Sequence, residues 1–98
     1  MNTLQKFELM EKISRELEDL RNSQTAILQK ITKIEVDNLE LGNKKLEDRL
    51  PDMHQNAADS IDAIAEILND FAEGKDTFEQ KNNINALKEQ EAINTAGH

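Results

Sequence analysis

From Met10 to Leu41 the chain repeats a non-polar side chain at alternating steps of three and four residues. The series is Met10, Ile13, Leu17, Leu20, Gln24, Ile27, Ile31, Ile34, Asn38 and Leu41, with Gln24 and Asn38 as its two polar members. This is a heptad pattern, and it commits the segment to a long amphipathic helix with a seam along one side. Met10, Leu17, Gln24, Ile31 and Asn38 take the a positions; Ile13, Leu20, Ile27, Ile34 and Leu41 take the d positions. Leu4 and Phe7 extend the apolar face toward a start near Asn2 or Thr3, both residue types that cap helices.

The composition suits long helices or a coiled coil. Charged residues make up 33% of the 98 and aromatics 3%, with one proline, three glycines and no cysteine. Strand-forming runs are scarce, and no disulfide or cysteine metal site can staple so small a core. The expected class is all-α: a long heptad helix in an oligomeric coiled coil or helical bundle, plus a short acidic amphipathic helix.

The spacing predicts four regions. Residues 1–50 form the oligomerising helix, ending before Pro51, because proline restricts the residue ahead of it. Residues 51–56 form a connector, unless Pro51 opens the next helix. Residues 57–73 form the second helix, with Ala57, Ile61, Ile64, Leu68 and Phe71 on one stripe and Gly74 as its stop. Residues 74–98 form a weakly structured tail, within which residues 83–92 could be a weak helix. A second seam at Leu39, Leu46, Leu50 and Met53 is out of step with the first, which reads as a stutter near Val36–Leu41. Gly42 lies there, either as a tolerated surface glycine or as a bend or close crossing of chains.

A helix of ~45 residues is ~70 Å long and cannot leave such a stripe in water, so it must pair with copies of itself, fold back against helix 57–73, or do both. The expectation is a homo-oligomer, with a tetramer slightly favoured over a dimer. In a parallel pair Glu16 would meet Arg21 of a second copy, and Lys30 would meet Glu35. Asn38 at an a position has the form of a buried amide that fixes register at a cost in stability. Isoleucine at d, with Leu9 at g and Leu28 at e, widens the face toward a four-helix bundle, made of four long helices from four chains or of two chains each adding its second helix.

Charge is unevenly shared. Residues 1–50 carry ten acids and nine bases, and residues 51–98 ten acids and three bases, giving −8 overall. That balance disfavours sequence-blind nucleic-acid or anionic-membrane binding. Local basic patches do occur at Lys30/Lys33, at Lys44/Lys45/Arg49 and at Arg15/Arg21. No apolar run is long enough for a membrane span, and the opening MNTLQKFELMEK has no signal-like core, so the expected location is cytoplasmic.

The residues supply no catalytic constellation. The only histidines, His54 and His98, have no partner suggested by spacing, and no phosphate-loop, dinucleotide or EF-hand motif occurs. Asp59, Asp62, Glu66 and Asp70 share one helical face but lack the Glu-x-x-His element of di-metal bundles, so they read as a face for a protein partner. No enzyme activity, cofactor, metal or small-molecule substrate is expected.

Residues 39–50, LELGNKKLEDRL, resemble the end of the N-terminal coiled coil in bacterial DNA replication initiation-control proteins. Leu39, Leu41, Asn43, Leu46, Arg49 and Leu50 fit that segment, while Gly42 replaces a glutamate and Glu47 an arginine. The opening MNTLQKFELMEKI is similar to the family's amphipathic start. The resemblance implies a tetrameric bundle and a regulatory role in DNA replication. The family's C-terminal zinc domain, which contacts the initiator ATPase and the sliding clamp, uses His and Cys; this chain has no cysteine and an acidic helix instead.

The function expected is therefore a non-enzymatic oligomeric protein-interaction module, either a replication regulator or a small phage regulatory or structural protein. The alternatives are an acidic nucleic-acid mimic that inhibits a DNA-binding protein, and a DNA-associated factor using the lysine patches.

Overall fold

The computed structural model describes residues 1–96 and consists of three helices: α1 (Thr3–Leu41), α2 (Lys44–Lys81) and α3 (Ile84–Ala96). The class is all-α, as the heptads require. α1 and α2 lie antiparallel as a long hairpin, and the molecule measures 70 × 26 × 18 Å.

Each helix end has a local cause. Asn2 starts α1 with a reciprocal cap: its side chain accepts from the Gln5 N–H at 2.8 Å, and the Gln5 side chain accepts from the Asn2 N–H at 3.0 Å. Gly42 ends α1 in the left-handed conformation, φ 70° and ψ 30°, with its N–H on the Asn38 carbonyl at 2.7 Å. Asn43 then caps α2, its side chain accepting from the Leu46 N–H at 3.1 Å. Two residues thus reverse the chain.

The predicted boundaries are corrected here. The 1–50 helix stops at Leu41, and the 51–56 connector is helical. The chain turns at Gly42–Asn43 because a left-handed glycine followed by an asparagine cap satisfies both helix ends locally. Pro51 lies inside α2 on its exposed side, where water can serve the Glu47 carbonyl that the missing N–H would have met. The second seam is no stutter: Leu46 and Leu50 belong to a different helix and face α1, whereas Leu39 is exposed. Gly74 does not stop the 57–73 helix, which is the middle of α2; at that exposed position glycine only weakens a helix held by packing on either side.

The 74–98 tail is also corrected, as far as Ala96. α2 continues to Lys81, where Asn82 donates both its N–H and its side-chain amide to the Phe78 carbonyl, at 3.1 and 3.0 Å. Asn83 takes φ 48°, a left-handed value asparagine tolerates, and redirects the chain into α3. Ile84 at the start of α3 is the most buried of the described residues, 1% exposed.

The core has two parts. In the closed half Ile31, Leu50 and Ala57 cluster, with Leu28 and Leu46 packed against them. At the open end Phe7 is 2% exposed and lies under two ammonium groups, Lys75 Nζ at 5.8 Å and Lys88 Nζ at 5.1 Å from its ring centre. Lys88 also reaches Glu11 at 3.9 Å, so α3 is fastened to the outer flank of α1.

Candidate functional site

The heptad seam divides in the folded chain. Its a residues turn toward α2: Ile31 and Asn38 are buried, and Met10, Leu17 and Gln24 are half-buried. Its d residues do not. Ile13 is 36% exposed, Leu20 46%, Ile27 44%, Ile34 44% and Leu41 73%. The reason is geometric. α2 sits over the a positions and the neighbouring e positions, where Phe7 and Leu28 are covered, so the d row is left on the flank.

α2 contributes to the same flank. Ile27, Met53 and Ser60 border one shallow groove, with Gln24, Ile31 and Ala57 at its base. Met53 and Ile67 are each about half exposed. The opposite flank is polar: Ser14, Glu18 and Arg21 of α1 face Ala72, Lys75 and Asp76 of α2. Glu35 and His54 make a hydrogen-bond contact between the helices, His54 Nδ1 to Glu35 Oε1 at 2.7 Å. His98 lies outside the described residues.

The stripe Ala57, Ile61, Ile64, Leu68 and Phe71 packs inward on α1, with Ala57 and Ile64 buried. Asp59, Asp62, Glu66 and Asp70 are all exposed along the outer side of α2. The structure therefore keeps these four carboxylates together as a ridge. Gln55 donates to Asp59 at 2.9 Å within it. Among the described residues no three His, Asp or Glu side chains converge in a way that could hold a metal ion.

Asn38 requires a correction. It is buried at 8% exposure, as an a-position amide should be, but its partner is in its own chain. Its Nδ2 donates to the Asn43 carbonyl at 3.1 Å, and its Oδ1 accepts from the Asn43 N–H at 2.9 Å. The amide closes the hairpin turn, so that each of its two polar atoms has a partner inside the chain. Two side chains assigned to pairs between copies also have partners in the chain: Glu16 is 4.0 Å from Lys12, and Glu35 is held by His54.

The basic residues Lys30, Lys33, Lys44, Lys45, Arg49, Arg15 and Arg21 are exposed, and Lys44 lies 3.4 Å from Asp48. Among the described residues no helix is long and apolar enough to cross a membrane. No family model, curated protein or solved structure matches this chain.

Proposed function

We propose that the protein is a non-enzymatic interaction module that acts as a homo-oligomer and presents the outer side of α2 to a protein partner. The observation that carries this reading is the d row: five aliphatic side chains in line along a 39-residue helix, each at least 36% exposed. A continuous apolar row of this kind is stable in water when another protein surface covers it. The ridge of Asp59, Asp62, Glu66 and Asp70 adds little to fold stability, but it can steer and select a basic surface. The resemblance of residues 39–50 supplies control of DNA replication as one setting for such a module, and a phage regulatory or structural role is another.

The ridge also supports a second reading, in which the protein occupies the basic groove of a DNA-binding protein. That reading requires tight, salt-labile binding to such a protein by a chain with no DNA affinity of its own.

The experiment is capture on immobilised protein across a salt series. Asp62→Lys with Glu66→Lys should weaken retention of a basic partner, most at low salt where charges are least screened. Lys44→Glu with Lys45→Glu should matter less. The reverse ranking would move the working surface to the basic patch and favour a DNA-associated factor.

A further inference from the structure

We infer that the flank formed by the d row of α1 and the Met53–Ser60–Ile67 edge of α2 is closed by a second copy of this chain, making two hairpins into one four-helix bundle. This rests on the self-association proposed above and names its surface, its occupant and its copy number.

The chain has no segment of its own to cover that flank among the described residues. α2 occupies the a and e side of α1. α3 fastens through Lys88 to Phe7 and Glu11, and Leu87 and Gln90 share a cleft with Leu4. Those α1 residues are on the side away from the d row. All three helices are thus accounted for, and the row from Ile13 to Leu41 remains open.

The flank is built in layers. Ile27 and Ser60 border the same groove. Because the helices are antiparallel, a step of seven forward on α1 matches a step of seven back on α2. Ile34 then shares a level with Met53, Leu20 with Ile67, and Ile13 with Gly74. Large and small residues alternate along the α2 edge, as facing layers of a bundle need in order to interdigitate. A Cβ at Gly74 would meet nothing within 4 Å inside the chain, so the hairpin's own packing gives no reason for a glycine there.

Charge selects the same side. Two copies at −8 each repel, so a stable pair must meet where the carboxylates are not. None of the residues in those layers is charged, and the acidic ridge lies on the side of α2 away from α1, with Asp70 at its border one turn from Ile67 and Gly74. Area is sufficient. The chain exposes 7552 Å², whereas a compact monomer of 11.2 kDa exposes about 5,700 Å². The surplus exceeds the roughly 800 Å² per partner that a standard interface covers.

Each hairpin brings two helices, so two copies complete a bundle that would take four copies of a single long helix. The test is the mass of the full chain by light scattering and sedimentation at about 100 μM, with helicity followed by circular dichroism. Wild type should have twice the chain mass. Leu20→Glu with Ile27→Glu should give the single-chain mass at unchanged helicity, because both side chains are already exposed within one hairpin. Ser60→Arg should do the same from the α2 edge and serves where the double variant is poorly folded. Arg21→Glu, on the polar flank, should leave the mass doubled. A single-chain mass for wild type overturns the inference. If capture of another protein is then still lost in the Leu20/Ile27 variant, the interaction-module reading survives without the second copy. A doubled mass retained by both flank variants places the interface elsewhere, and a fourfold wild-type mass overturns the closed pair.

Discussion

Asn38 and Asn43 are locked to each other through four atoms: the side-chain amide of the first takes both the N–H and the carbonyl of the second, at 2.9 and 3.1 Å. Asn43 then uses its own side chain to start α2. One buried amide therefore joins the end of α1 to the beginning of α2. A hydrophobic side chain at position 38 would leave the Asn43 N–H to find another partner, while the Asn43 carbonyl keeps the Glu47 N–H at 3.1 Å. Asn38→Ile should cost about 1–3 kcal/mol in urea unfolding, the reverse of the gain expected of a register-setting amide between chains. Asn38→Asp should fall between, since a carboxylate still accepts from the Asn43 N–H but cannot donate to its carbonyl.

Gly42 and Pro51 make opposite predictions from opposite backbone requirements. At Gly42 φ is 70° and a Cβ would meet nothing within 4 Å, so the penalty for alanine is purely conformational, about 1–2 kcal/mol. Gly42→Asn should lose less, because asparagine tolerates the left-handed region. At Pro51 the helix runs on through an exposed site that lacks one backbone hydrogen bond. Pro51→Ala restores the N–H and should raise stability by about 1–3 kcal/mol. Thermal unfolding of the two alanine variants should therefore shift in opposite directions.

Ile84 is the buried apolar anchor of α3, whose following residues are exposed as far as Asn94, with Lys88 adding its contacts to Phe7 and Glu11. Ile84→Ala removes most of the apolar contact holding α3 down. Hydrogen exchange should then show lost protection in α3. Amides around Ile31, Leu50 and Ala57, in the separate closed-end cluster, should keep theirs. Equal loss in both regions would mean that the two cores unfold as one unit.

The sequence by itself determined that this chain is helical, where α1 begins, and which residues of α2 turn inward. Those are local matters: the three-four spacing, the Asn2–Gln5 cap, and the stripe from Ala57 to Phe71. The turn was also written locally, in Gly42 followed by Asn43 with Leu46 three residues on. Proline outweighed that signal because its cost is intrinsic, whereas the benefit of continuing through Pro51 comes from packing Leu50 and Ala57 against Ile31. Only the tertiary structure decided how the heptad seam divides. A period of three and four says that a and d positions are near one another on a helix, but not which of them a neighbour will cover. α2 approaches over a and e, so Ile31 and Asn38 enter the interior while Ile27 and Ile34 stay in water. The same approach put the backbone of Asn43 within reach of the Asn38 amide, and no spacing along one helix could announce a partner delivered by the reversal of the chain.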